Sequence, residues 1–353
     1  MLRAFVKNVT AHAVSWAGLD EMARAGLYRE VPFVLSYHRV VERLDGSDGL
    51  ALPAMEISVA MLEGHLDWLG KHYRIVSPDD LATNNDSRPR AAVTFDDGYS
   101  DIYHHAFPLL KRKGIPAGIF VLTDLLGSSE VPMHERLHAL LVGASRQWTS
   151  IPDELTDLLR RANVESSVEE RAHKVAPHPF SATRFLLDRL PQADLQRVID
   201  CLEVACDIGE AWRLPLQPLS WEMLAEMRDS GMTIGSHSRS HPFLTNESEE
   251  RVFEEAAISR RELRRRLGVD AACFAYPGGG FNPSVVQAVA NAGYRYGFTV
   301  CRHRDPQYPL LTIPRTALWE QSCLDPFGRF SPAIMSCQAS GAFNLLSRCT
   351  RAH

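Results

Sequence analysis

Six short runs rich in β-branched and aromatic residues recur along this chain, at positions 31–37, 91–95, 117–123, 232–236, 272–276 and 296–300. Segments of helical period lie between them, and strand alternating with helix is the signature of βα units stacked into a parallel sheet. The helices carry their own boundary signals. One starts at Ser58 and places Met61, Leu62, His65, Leu66 and Leu69 on one face. Another starts at Ser220, carries Leu224 and Met227, and stops at Gly231, where glycine tolerates the left-handed backbone of a helix end. A third has Asn282 as N-cap, Pro283 at its first position and Gly293 just past its end.

The rhythm breaks between residues 128 and 218, which read as helical and polar, punctuated by Pro152, Pro177, Pro179, Pro191, Pro215 and Pro218. We expect a helical insertion there, packed on a strand-bearing body formed by residues 31–127 and 219–320. Residues 321–353 look irregular and are expected to form a C-terminal tail. A chain of 353 residues with 45% hydrophobic content buries a core large enough for this arrangement.

Charge and cysteine usage narrow the setting. Lys and Arg total 38 against 43 Asp and Glu, so no basic field is available to neutralise phosphates and nucleic-acid binding is not expected. Seven cysteines form no CxxC pair and an odd set, which reads as reduced thiols in a cytoplasmic protein. No stretch approaches the roughly 20 apolar residues that span a bilayer. Near the N-terminus, His12, Ser15, Asp20 and Glu21 interrupt anything like a secretory h-region. Leu2, Phe5, Val6, Val9 and Ala13 fall at helical spacing, so residues 1–30 are expected to hold an amphipathic helix. Docking on the protein's own core is the first expectation for it, and peripheral contact with a membrane the second.

Two polar motifs follow strand-like runs. Thr94-Phe95-Asp96-Asp97-Gly98-Tyr99 comes directly after Ala91-Ala92-Val93. Adjacent carboxylates at a strand end are costly to bury unless a cation is present, and a metal resolves the conflict. One carboxylate then ligates while the other stays close enough to take a proton from water. Asp-Asp-Gly alone is equally at home in an ordinary turn. The second motif, Ser236-His237-Ser238-Arg239-Ser240-His241-Pro242, also closes a strand-like run. Two imidazoles four residues apart converge on one ion, although an isolated His-x-x-x-His is usually incidental. One carboxylate and two histidines leave coordination positions open for water and substrate.

Together these segments resemble the TFDDG and H-S-x-x-H-P motifs of the polysaccharide deacetylases, the NodB-like carbohydrate esterases of family 4. The resemblance covers roughly residues 31–318, the insertion excepted. It implies an α/β fold, a distorted (β/α) barrel of seven or eight strands with its site at the C-terminal strand ends. It further implies a metal-dependent N-deacetylase that hydrolyses the acetamide of an N-acetylated amino sugar. Carried over, Asp96 is the general base, and Asp97, His237 and His241 hold a divalent ion, zinc first. The backbone N–H of Tyr99 faces the oxyanion. Tyr276-Pro277-Gly278, within Phe274-Ala275-Tyr276-Pro277-Gly278-Gly279, resembles the motif that lines the substrate groove. That motif often carries an arginine bonded to the catalytic Asp, and none stands here; Arg315 in Ile313-Pro314-Arg315-Thr316 is the candidate substitute.

Leu35-Ser36-Tyr37-His38-Arg39-Val40 resembles the Y-H-x-V element that circularly permuted members carry at the start, which makes His38 the expected general acid. His104 and His105 are expected to be supporting or surface residues, and His303 follows no clear strand. Two other functions use the same scaffold: hydrolysis of a cyclic amide of the allantoin type, and carbohydrate binding without catalysis.

Overall fold

The computed structural model describes residue 11 and residues 32–44, 49–81, 88–301 and 303–343. The N-terminal helix expected over residues 1–30 therefore lies outside the described residues apart from Ala11, as do the last ten positions of the chain.

Ten strands are present among the described residues: β1 (Phe33–Tyr37), β2 (Arg39–Val41), β3 (Glu56–Ser58), β4 (Arg74–Ile75), β5 (Arg90–Phe95), β6 (Gly118–Val121), β7 (Thr233–Ser236), β8 (Cys273–Ala275), β9 (Tyr296–Thr299) and β10 (Ile313–Ala317). Seven of them close a parallel barrel in the order β1-β10-β9-β8-β7-β6-β5, and β5 returns to β1. The closing register pairs Phe33 with Ala91 and Tyr37 with Phe95, while on its other edge β1 pairs Ser36 with Ala317. β4 adds to the N-terminal end of β5, and β2 pairs with β3 in a separate two-stranded ribbon. This is the expected (β/α) barrel, with seven strands.

Every side chain of β1 is buried, because one face meets the barrel interior and the other meets helices. Strand alternation then sorts residues by depth and side. Val34, Ala92, Phe120, Phe298 and Ile313 form an apolar cluster distinct from the one containing Phe33, Leu35 and Tyr37, which joins the surrounding helices. Nearer the C-terminal strand ends, buried positions turn polar, at Ser36, Thr94, Asp96 and Arg315. Closure of the barrel needs glycine at position 235, where a Cβ would stand 2.5 Å from the Phe120 ring.

The helices begin where the sequence indicates. The side chains of Ser58, Ser220 and Asn282 accept from Met61, Met223 and Val285 N–H, capping Val59–His72, Trp221–Asp229 and Pro283–Asn291. Gly231 and Gly293 follow the last two in left-handed conformation, with φ of 90° and 92°.

Between β6 and β7 lie the helices Met133–Ser145, Ile151–Arg161, Ser166–Ala172, Pro179–Leu187 and Gln192–Ala205. They enclose a core of their own, built from residues such as Leu141, Leu155, Leu158, Leu186, Ile199 and Leu202. Pro152 and Pro179 occupy first turns, where a missing N–H costs nothing. This bundle is tied to the loop after β7: Gln192 Nε2 donates to Ser240 O at 2.8 Å, and Asn246 Nδ2 donates to Leu187 O at 3.0 Å.

Two features differ from the sequence reading. The seventh barrel strand, β10, carries Pro314 and Arg315, which disguise it as a loop. The segment expected to be an irregular tail includes the helix Pro332–Ala339, whose Ile334 and Met335 are fully buried against the main core. Ser331 caps it by accepting from Ile334 N–H at 3.3 Å.

Candidate functional site

Because the barrel strands run parallel, the residues that follow them collect at one mouth. His38 follows β1, Asp96 and Asp97 follow β5, His237 follows β7 and Tyr276 follows β8, while Arg315 reaches the same place from within β10.

Asp96 is buried and held by Arg315 in a two-pronged grip, with Nη1 donating to Oδ1 and Nη2 to Oδ2, each at 2.7 Å. Arg315 Nη1 also donates to Thr94 Oγ1 at 3.1 Å, and its guanidinium lies 5.6 Å from the centre of the Phe120 ring. Burial alone would raise the Asp96 carboxyl, but the Arg315 charge, with His237 and the two hydrogen bonds, pulls it down to about 2.

Asp97 is the opposite case. Both its oxygens are buried without a hydrogen-bond partner. Burial and the neighbouring Asp96 and Glu135 push its carboxyl well above the ordinary range. A carboxylate left so bare costs several kcal/mol unless a cation takes up its lone pairs. Around it stand His237 and His241, each with Nε2 3.5 Å from Asp97 Oδ1. Ligand atoms of the three residues all lie within 4.8 Å of one another. His237 Nδ1 is 2.8 Å from Ala275 O, so that nitrogen carries the proton and Nε2 keeps its lone pair. Burial lowers the pKa of both histidines, which keeps them neutral as ligands must be. This donor set fits a divalent ion.

The backbone here is held in an unusual state. Of five non-glycine residues with positive φ among the described residues, Asp97 (66°), Ser238 (74°) and His241 (68°) are in this site. Each such conformation costs about 1–3 kcal/mol and persists only where its surroundings enforce it. Ser236 Oγ accepts from Ser238 N–H and Ser238 Oγ from His241 N–H, both at 3.0 Å, which fixes the turn.

His38 lies beside this centre. Burial lowers it to about 4, against the pull of the Asp96 charge, with His237 and Arg315 adding to the lowering. Tyr99 joins an antiparallel bridge to Pro218 whose hydrogen bonds use Ser100 N–H and Leu219 N–H, leaving Tyr99 N–H outside the bridge. The Tyr99 hydroxyl donates to Glu135 Oε1 at 3.2 Å.

The residues of the groove motif differ in exposure. Tyr276 is fully buried with its ring near Phe274 and Phe281. Pro277 is also buried, and Gly278 is the half-exposed member, with φ of 60°. His104 is exposed and His105 half-buried in a π-helical turn, and His303 stacks on Phe281.

Two residues of the site were not anticipated. His134 and Glu135, at the start of Met133–Ser145, reach the centre from the helical insertion. His134 Nδ1 is 3.1 Å from His241 Nδ1, and its Nε2 is 3.9 Å from Asp97 Oδ2. Glu135 is fully buried and accepts from Leu52 N–H at 3.1 Å as well as from Tyr99. The available signal was His134 four residues before His138 and seven before Leu141, a histidine on the apolar face of a helix.

Comparison with known proteins agrees with this arrangement. The profile of the polysaccharide deacetylase family matches residues 83–297, which include Asp96, Asp97, His237 and His241. Over 100 residues the chain is 32% identical to the Bacillus subtilis (strain 168) protein named "Putative polysaccharide deacetylase YxkH", covering 27% of this chain and 33% of that one. The chain thus spans about a third of the length of that relative. Among solved structures, the Streptococcus pyogenes deacetylase PplD in complex with acetate superposes with a TM-score of 0.52 at 17% identity, over 84% of this chain and 95% of that one. IcaB from Ammonifex degensii superposes with a TM-score of 0.51 at 20% identity, over 88% and 97%. At such identities the two superpositions bear on the fold alone, and they place this chain on the same barrel. With the matched profile spanning more than half its length and both motifs inside that span, the chain belongs to the polysaccharide deacetylase family.

Proposed function

We propose that this protein is a metal-dependent N-deacetylase that hydrolyses the acetamide of an N-acetylated amino sugar and releases acetate. The observation that carries the reading is the pairing of unlike carboxylates at one mouth. Asp96 is clamped and ionised by Arg315, and Asp97 is bare and faces two neutral histidines. Asp97, His237 and His241 would hold the ion, with zinc the first expectation, although such a set also suits cobalt, nickel or manganese. When bound, a divalent ion polarises a carbonyl and brings the pKa of water from nearly 16 towards about 7.

The chain's own groups supply the proton path. Asp96 stays ionised at any pH above about 2, so it is ready to accept the proton of the attacking water. The N–H of Tyr99, which lies outside the bridge to Pro218, is suited to the oxygen that becomes negative as the carbon turns tetrahedral. His38 is neutral in the free protein near pH 7, so it must gain a proton before the C–N bond breaks. The proton taken up by Asp96 is the source, and the nearby carboxylate favours charged His38. His38 then protonates the leaving nitrogen, and the products are acetate and the free sugar amine. Acetate is the ligand named in the PplD complex, which fits this product.

The natural acceptor on this reading is a polysaccharide or a glycan intermediate, with a role in exopolysaccharide assembly. A cytoplasmic address, suggested by the odd number and scattered spacing of the seven cysteines in the sequence, favours an intermediate over finished wall polymer. No described helix is long and apolar enough to cross a membrane. The reading predicts acetate release by purified protein from N-acetylglucosamine oligomers and none from allantoin. Release from allantoin alone would place the chemistry on cyclic amides. Glycan binding without release from any acetylated sugar would make the protein a binding module.

A further inference from the structure

His237 and His241 present the same atom to the centre, but their outer nitrogens are held differently. His237 Nδ1 meets a backbone carbonyl, Ala275 O, at 2.8 Å, which can only accept and so leaves no choice of tautomer. His241 Nδ1 meets another imidazole nitrogen, His134 Nδ1, at 3.1 Å. His134 is 5% exposed, and its ring centre lies 4.3 Å from that of His241.

A hydrogen bond between two imidazole nitrogens uses one proton, and which ring donates it decides which ring can ligate. If His241 Nδ1 donates, its Nε2 is bare and faces Asp97 at 3.5 Å, while His134 carries its own proton on Nε2. That Nε2–H then points towards Asp97 Oδ2 at 3.9 Å, a favourable sense for a carboxylate. If His134 Nδ1 donates instead, His241 Nε2 is protonated and lost as a ligand. The two histidines therefore cannot both bind an ion through Nε2 while this hydrogen bond exists.

Resting on the deacetylase reading above, we propose that His134 is a positioning residue of the metal centre. By accepting from His241 Nδ1–H, it fixes the tautomer and ring orientation that make His241 a ligand. The consequence is that the helical insertion completes the centre. Its helix Met133–Ser145 is anchored to the barrel mouth by Glu135, through Tyr99 and Leu52, and this anchorage places His134. Partners of this kind are worth about 10–100-fold in metal affinity.

The test is the zinc dissociation constant, measured by competition with a chromophoric chelator on the full-length chain and its variants. His134→Ala is expected to weaken zinc binding about 10–100-fold. His134→Asn places an acceptor oxygen where Nδ1 stood and should recover most of the affinity. His134→Gln places its amide near the Nε2 position and should not recover it. The comparison of Asn with Gln carries the test even if the alanine variant folds poorly. Equal affinities across wild type, Asn and Gln overturn the inference. So does X-ray absorption that counts three imidazoles on zinc in the wild type and two in His134→Ala, because His134 would then be a ligand. Wild-type protein that binds no zinc overturns the metal-dependent reading and this inference with it. Bound zinc with unaltered variants overturns the inference alone.

Discussion

Arg315→Met is expected to cost about 3–5 kcal/mol of stability and to make deacetylation strongly pH-dependent. The stability figure is that for removing one partner of a buried ion pair and leaving the other uncompensated. Arg315 and Asp96 are both almost fully buried, and the guanidinium makes both of its short hydrogen bonds to the same carboxylate. In the wild type Asp96 has its pKa depressed, so the pair's contribution is present above the ordinary carboxylate range and is lost only as pH falls towards about 2. Without Arg315, burial becomes the dominant influence and drives the Asp96 pKa upward. The variant should therefore regain turnover as pH rises across a range in which wild type is flat. Arg315→Lys keeps the charge but loses the fork, and should fall between the two. Thermal melts and rate profiles at several pH values check this. A variant that melts and responds to pH like wild type would contradict the arrangement.

Asp96→Asn should lower kcat about 100- to 10,000-fold, the usual worth of a positioned general base. Asparagine preserves the shape of the side chain but cannot accept a proton. It also leaves Arg315 as an uncompensated buried cation, so some stability is lost as well. Metal affinity should hardly change, because Asp97, His237 and His241 are untouched. That split separates the two carboxylates: loss of turnover with metal retained belongs to Asp96, loss of both to Asp97. Retention of most turnover in Asp96→Asn would move the base to His38, whose lowered pKa leaves its imidazole able to accept a proton.

What could be read from the sequence follows from how local each signal is. The strands at residues 91–95 and 232–236 are apolar runs that end directly in polar motifs, so both the element and its chemistry lie within a dozen residues. β2, β3 and β4 are two or three residues long and have no period to detect. β10 is disguised by Pro314 and a buried arginine, although the absence of an arginine from the motif at residues 274–279 points to Arg315 itself. Its partner Asp96 lies 219 residues away, and only barrel closure brings them together. His38 and Arg315 both fall outside the segment that matches the family profile; His38 is legible in its own Y-H-x-V element, whereas Arg315 reaches the site only through the fold. His134 was hidden for the same reason. It meets His241 across 107 residues, from a bundle that looked like a separate insertion. Left-handed backbone at Asp97 and His241 is only weakly signalled by residue type, because hydrogen bonds of the folded turn, such as His241 N–H to Ser238 Oγ, enforce it.

The central claim is that Asp97, His237 and His241 hold the ion that the hydrolysis uses. The most direct test strips the protein with a chelator and measures acetate release from N-acetylglucosamine oligomers before and after adding one equivalent of zinc, with Asp97→Ala beside it. The account predicts silence after stripping, recovery near one zinc per chain, and neither binding nor recovery in Asp97→Ala. Undiminished acetate release from fully stripped protein, or zinc-restored release in Asp97→Ala, would contradict it.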